Sequence, residues 1–213
     1  MKKTVTQNKF YKTLTSRTSQ EVIRKIKNIT IGIAGCGGLG SNAAIALVRT
    51  GAMHLVIADF DRVELSNLNR QQYSLDDIGS FKVDALEKIL ISINPFAEIK
   101  KYNLKLNRKN IYSIFNNCKI IIEAFDRVTS KSMLIKSFSH PDFAGKYLIM
   151  GSGLSGFSPA NRIRTKRIAR NIFVCGDFYT EAGKSKSLMA PRVMITSGHQ
   201  VNKALEIIAG LEI

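Results

Sequence analysis

The 213-residue chain is poor in cysteine, and its three thiols, Cys36, Cys118 and Cys175, stand far apart without a Cys-x-x-Cys pair. That distribution argues against a disulfide framework and against a tetrahedral structural zinc site. No apolar run reaches the ~18 residues needed to cross a bilayer, and Met1-Lys2-Lys3-Thr4 leads into polar sequence without the apolar core of a signal peptide. Membrane insertion and export are thus unsupported, and the chain reads as cytoplasmic. Negative charge is also scarce: 16 Asp and Glu accompany 32 Lys and Arg, for a formal charge of +16. Such a surplus attracts a nucleotide, a nucleic acid or an acidic protein, and fixes the sign of the partner but not its identity. The lysines are scattered and no basic motif interleaves with aromatics, so the surplus reads equally as a lysine-rich composition without a specific partner, and nucleic acid is not favoured. Neither an internal repeat nor a low-complexity tail is present.

What the chain does contain is an ordinary apolar fraction, 45%, and a length suited to one domain spanning 1–213. Residues 1–17 are polar and aperiodic and read as an N-terminal arm. Thr18-Ser19-Gln20-Glu21 fits a capping box opening a helix to about Lys27. Ile29 to Ala34 is a β-branched run ending in glycines, followed by Leu39, Ala43, Leu47 and Val48 at helical spacing, and Leu55 to Ala58 is a second short apolar run. Together these predict a β-α-β unit. A loop over 60–79, a helix carrying Phe81, Ala85, Leu86, Ile89 and Ile93, a strand over 97–102 and a short helix near 109–115 follow. Then come a buried strand over 120–124 running into Phe125-Asp126-Arg127 and a helix, and a strand over 146–151. Residues 152–170 contain no acidic residue and are rich in Gly, Ser and Arg, which predicts an exposed crossing segment; 152–190 as a whole is expected to be a mobile crossover. A last strand near 172–175 and a helix after Pro191 complete the pattern.

Alternating strands and helices imply an α/β fold, a three-layer αβα sandwich whose sheet is largely parallel but mixed. Ligands of such sheets sit at the carboxyl ends of the strands, near the point where strand order reverses. Asp59 and Asp126 each follow an apolar strand directly, so both are expected in that crevice.

Gly35-x-Gly37-Gly38-x-Gly40 lies between a strand and a helix, where backbone amides and the positive helix end can approach phosphate with no Cβ in the way. Asp59, 19 positions beyond Gly40, stands where a carboxylate can bond ribose hydroxyls. Up to this point NAD and ATP fit equally. Arg70 and Lys82 add two cations, and Asn67, Asn69, Gln71 and Gln72 add amides. Hydride transfer needs a neutral nicotinamide pocket, whereas nucleotidyl transfer needs donors aimed at charge developing on phosphate oxygens, so these residues favour ATP. Lys82 also reads as an ordinary surface lysine of an amphipathic helix. Asp126 can share a magnesium ion with phosphates, or cap the helix that follows it.

Taken with Asp59-Phe60-Asp61, Ser66-Asn67-Leu68-Asn69-Arg70-Gln71, Gly79-Ser80-Phe81-Lys82-Val83, Ile93-Asn94-Pro95 and Glu123-Ala124-Phe125-Asp126, the glycine loop resembles that of the ThiF/MoeB/HesA family, relatives of the ubiquitin-activating enzymes. The likeness spans about residues 17 to 210. Cys175-Gly176-Asp177, Met189-Ala190-Pro191-Arg192-Val193 and Gly198-His199-Gln200 are most similar to short ThiF-type proteins that adenylylate the sulfur carrier of thiamine synthesis. The resemblance implies a Rossmann-like adenylation domain that uses ATP and Mg2+. In it the C-terminal glycine carboxylate of a small ubiquitin-like carrier, ending in Gly-Gly, attacks the α-phosphate. It implies that Gly35, Gly37, Gly38, Gly40, Asp59, Asp61, Asn67, Arg70, Gln71, Lys82, Asp126 and Arg127 bind ATP, that Arg70, Lys82 and Asp126 are catalytic, and that Asp126 holds magnesium. It further implies a homodimer in which an arginine near the N-terminus, here Arg17, reaches the partner's nucleotide.

The chain departs from that pattern in two places. The Cys-x-x-Cys pairs of zinc-bearing members are absent, as is a crossover cysteine, since 180–187 contains none; a compact, zinc-free version is expected. Cys36 reads as a small residue packing the turn, Cys118 and Cys175 as small apolar residues, and His54, His140 and His199 as structural. The competing readings are activation of another group, as in tRNA-modifying dehydratases of the superfamily, with Arg162, Arg164, Lys166, Arg167 and Arg170 as an RNA face; a nicotinamide oxidoreductase; and a non-catalytic nucleotide-binding scaffold.

Overall fold

A computed structural model describes residues 5–180 and 188–211. β1 (Thr30–Ala34), β2 (His54–Asp59), β4 (Ile120–Glu123), β5 (Tyr147–Gly151) and β7 (Ile172–Gly176) are short apolar runs buried on both faces, as a sheet covered from both sides requires. With β3 (Glu98–Asn103) and β6 (Arg164–Ala169) they form one seven-stranded sheet in the order β3-β2-β1-β4-β5-β7-β6. Every pairing is parallel except β6 with β7. The Rossmann-like, largely parallel α/β architecture read from the sequence is the one observed.

Side chains alternate along each strand, so each strand feeds two cores. Ile31, Ile33, Ile57, Ile120, Ile122 and Ile149 face α3 (Gly38–Arg49), α4 (Lys82–Ile93) and α7 (Ala190–Ala209). Val56, Ile121, Leu148 and Val174 face α5 (Ile111–Phe115) and α6 (Val128–Ser137). From β1 the chain proceeds outward through β2 and β3, then returns to place β4 on the other side of β1. The order therefore reverses between β1 and β4, and the crevice at their carboxyl ends is where such a sheet offers a ligand site.

Three local expectations are corrected. Residues 7–15 are not an irregular arm but helix α1 (Gln7–Thr15), which buries Tyr11 against Ile23 and Met53. The Tyr11 hydroxyl donates to the Gly51 carbonyl at 3.5 Å and accepts from Asn94 Nδ2 at 3.2 Å. One aromatic on a polar helix is a weak periodic signal, and its partners lie some 40 and 83 positions further on. The capping box does not form either: α2 (Gln20–Lys27) starts from Ser19 with no side-chain cap, and Glu21 pairs with Lys25 at 2.8 Å instead. Finally, 164–169 in the expected crossing segment is β6, an edge strand exposed along most of its length. Exposure on both faces removes the alternation that betrays a strand, and its charges suit an unpaired sheet edge. Residues 181–187 of the expected mobile crossover lie outside the described residues.

Candidate active site

The glycine turn is held from both flanks of β1. Gly35 N donates to Ala58 O and Ala124 N to Ala34 O, each at 2.9 Å. Gly35 has φ +100°, and a Cβ there would lie 2.9 Å from the Ala124 carbonyl oxygen; one on Gly40 would lie 1.9 Å from the Gly35 carbonyl oxygen. Only glycine lets the chain fold back this tightly into α3. The first turns of α3 then point their amides at the crevice.

Asp59 ends β2, and its carboxylate accepts from Cys36 N at 2.6 Å and from Asp61 N at 2.8 Å, joining the glycine turn to the loop behind it. Burial pushes the Asp59 carboxyl up, against the opposing pull of those amides and Lys82. Lys82, only 6% exposed, opens α4 and places Nζ 2.9 Å from Asp61 Oδ2, so it is not the ordinary surface lysine that its helix allows. Tyr73 bridges the two groups: its hydroxyl donates to Cys36 O at 2.6 Å and lies 3.3 Å from Lys82 O.

The polar string 66–72 packs along the same turn. Asn67 is buried, with Oδ1 accepting from Glu64 N at 3.2 Å. The Arg70 carbonyl accepts from Asn42 Nδ2 on α3, and Arg70 Nη1 donates to Ser66 O at 3.1 Å and Asn69 Oδ1 at 2.8 Å. Arg70 Cγ lies 3.5 Å from the position a Cβ on Gly38 would take, and Gln71 Nε2 lies 3.8 Å from the corresponding position on Gly37. Buried Gln71 Oε1 finds no partner among the described residues. Asn69 Nδ2 reaches Leu188 O at 3.1 Å, tying the string to the approach to α7.

Asp126 follows β4, beside β1, and is exposed; its carboxylate has no hydrogen bond or ion pair among the described residues. It does not cap α6, whose first turn is preceded by Arg127. A free carboxylate at this position fits a shell in which one protein oxygen, substrate oxygens and waters surround magnesium. Gly35, Gly37, Gly38, Gly40, Asp59, Asp61, Asn67, Arg70, Gln71 and Lys82 therefore stand together, with Asp126 and Arg127 across the β1–β4 junction. Arg17 does not join them within one chain: it follows α1, which packs on Gly51 and Met53 at the amino end of β2, opposite the crevice.

Cys36 lies inside the glycine turn, fully buried, and burial pushes its thiol well up. Burial likewise raises Cys118 to about 12 and Cys175 to about 11. None is a thiolate nucleophile at neutral pH.

Two buried ion pairs were not anticipated from the sequence. Glu123, the last residue of β4 and 0% exposed, meets Lys131 Nζ at 2.8 and 2.9 Å. Burial raises the Glu123 carboxyl against the lowering effect of Lys131 and of the Phe125 and Gly151 amides. A carboxylate joined directly to Ile120-Ile121-Ile122 was the available signal, since a charge entering a core needs a partner. The second pair is Asp177 with Arg192 at 2.5 Å, both side chains 3% exposed. Burial opposes the Asp177 charge, but the Thr180 and Tyr179 amides, the Thr180 hydroxyl and Arg192 outweigh it and hold the carboxyl below its usual range. Arg192 also donates to Ser158 O at 2.7 Å, so through this arginine α7 is tied to the crossover at both Ser158 and Asp177.

Residues 11–213 match the ThiF family. The molybdopterin-synthase adenylyltransferase of Haemophilus influenzae is 30% identical over 192 residues, covering 86% of this chain and 76% of that protein. The adenylyltransferase and sulfurtransferase UBA4 of Scheffersomyces stipitis is 35% identical over 131 residues; the match takes in 61% of this chain and 29% of that much longer protein. Among solved structures, the E. coli tRNA N6-threonylcarbamoyladenosine dehydratase in complex with ATP superposes with a TM-score of 0.86 at 18% identity, covering 98% of each chain.

Proposed function

The chain belongs to the ThiF family, and from that membership we propose that it is an ATP-dependent adenylyltransferase activating the C-terminal glycine of a small ubiquitin-like sulfur carrier of the ThiS type, in thiamine synthesis. The observation that carries this reading is the gathering of the glycine turn, Asp59, Arg70 and Lys82 on one side of the β1–β4 junction, with Asp126 across it. Adenylation needs just such a division: a cradle and cations for phosphate on one side, a metal-binding carboxylate on the other.

In this reaction the carrier carboxylate forms a bond to the α-phosphorus, the bond from that phosphorus to the bridging oxygen breaks, and pyrophosphate leaves with the electron pair. In this reading Asp59 would hold ribose, while the amides of the glycine turn, Asn67, Gln71 and the cations Arg70 and Lys82 would bind phosphate. Asp126 would hold magnesium, which supplies neutralisation of phosphate charge. A homodimer in which Arg17 completes the partner's site accounts for an arginine set apart from the crevice of its own chain. The surplus of positive charge suits an acidic carrier.

Pyrophosphate exchange into ATP, measured with and without a Gly-Gly-tailed carrier, tests the reading. Carrier-dependent exchange is expected; exchange indifferent to carrier, or NADH binding without ATP binding, overturns it. A second reading, activation of a modified tRNA base, is favoured by the exposed Arg164, Lys166 and Arg167 of β6, with Lys166 Nζ 4.4 Å over the Phe178 ring. It requires RNA binding that weakens steeply with salt.

A further inference from the structure

The Lys131 ammonium makes three bonds: two to the Glu123 carboxylate and one, at 2.8 Å, to the Gly151 carbonyl at the end of β5. These use all three of its donors. Glu123 reaches forward as well, Oε1 accepting from Phe125 N at 2.6 Å, while its backbone carbonyl accepts from Gln200 Nε2 of α7 at 2.9 Å. Between these anchors, Ala124 is fixed to β1 through its amide and pressed against Gly35. Residues 123, 124 and 125 are thus each held by a separate contact, and the next residue is Asp126, whose own side chain is held by nothing described.

A buried ion pair adds little net stability over an apolar pair of similar volume. What it adds here is direction, because α6 and the ends of β4 and β5 meet at one ammonium, and the turn between β4 and α6 is bonded to the same carboxylate through Phe125 N. We propose that Glu123 and Lys131 are positioning residues that lock the β4–α6 turn so that Asp126 faces the nucleotide phosphates and their metal across the β1–β4 junction. The pair also keeps this end of β4 neutral, leaving Asp126 as the one uncompensated carboxylate of the turn. This inference rests on the adenylation reading of the site.

The test compares Lys131→Arg, Lys131→Met and the apolar double variant Glu123→Leu/Lys131→Met, which leaves no buried charge and so keeps the fold. Pyrophosphate exchange is followed against ATP and Mg2+ concentration, and amide hydrogen exchange is followed over residues 124–127. The expected result for Lys131→Met and for the double variant is a fall in kcat and a rise in the half-saturating Mg2+ of about 10–100-fold. The KM for ATP should move much less, and amide exchange in the turn should be faster. Lys131→Arg should restore most of the kcat and the Mg2+ dependence. A folded double variant with wild-type kcat, Mg2+ dependence and amide protection overturns the proposal. If Lys131→Met does not fold, the double variant and Lys131→Arg decide it. If wild-type protein shows no exchange activity at all, the adenylation reading fails by itself, and the turn's amide protection still decides whether the pair locks it.

Discussion

Lys82 Nζ stands 2.9 Å from Asp61 Oδ2, with the lysine buried and the aspartate half exposed. The cation is therefore fixed by the fold itself, oriented from the first turn of α4 by a carboxylate that belongs to the loop after β2. Lys82→Ala should lower exchange by about 10²–10³-fold, the usual loss when one fixed donor to developing phosphate charge is removed. Because Asp61 remains solvated, the melting temperature should hardly change. A calorimetric scan beside the exchange assay checks both; wild-type activity would remove Lys82 from the chemistry.

In the proposed reaction Arg70 and Asp126 would act on the nucleotide from opposite sides of the β1–β4 junction. Arg70→Ala and Asp126→Ala should each abolish exchange with the fold intact by circular dichroism, and Asp126→Ala should in addition lose the response of ATP affinity to Mg2+. A fully active variant of either would take that residue out of the mechanism.

The Asp177–Arg192 pair makes a prediction about pH. Because the folded state holds the Asp177 carboxyl below its usual range, its contribution is complete above the unfolded value, about 3.9, and is lost as pH falls through the lower folded value. Asp177→Asn should destabilise the protein by about 3–5 kcal/mol at pH 7 by leaving a buried guanidinium unpaired. The gap between variant and wild type should narrow toward pH 3. Urea titrations at both pH values measure this, and an equal gap at both would exclude the pair as its source.

All three thiols are buried and Cys36 is held neutral by its surroundings. In native protein at pH 8 none should react with iodoacetamide over an hour, whereas all three should react in denaturant. Cys36→Ala should keep exchange activity within about threefold, since a methyl fills the small space in the turn. Mass spectrometry reads the first outcome, and rapid native labelling of Cys36 would refute it.

Tyr11 anchors α1 through packing and two hydrogen bonds. Tyr11→Ala should cost about 3–5 kcal/mol in a urea titration, and because α1 leads into Arg17 it should also weaken ATP binding by a dimer in which that arginine completes the partner's site.

The sheet strands and the glycine turn were legible because several local signals agreed there: β-branched runs end at glycines and apolar residues resume at helical spacing. The same agreement placed Asp59 and Asp126 at strand ends. α1 was hidden because its burial depends on Gly51 and Asn94, distant in sequence. β6 was hidden because an exposed edge strand has no apolar alternation to show. Lys131 was unreadable for another reason: a lysine on a weakly amphipathic helix acquires meaning only when the fold brings Glu123 and the Gly151 carbonyl to it.

β6 runs antiparallel to β7, its one neighbour in the sheet, and Arg164 pairs with Gly176 at the crevice end. The connection through the exposed Arg170 and the half-buried Asn171 consequently sits at the remote end, between two strands already paired. That hairpin tip is a ready handle: a fluorophore or surface tether attached there would leave the crevice facing solution, so that nucleotide and protein arrivals could be timed on an immobilised molecule.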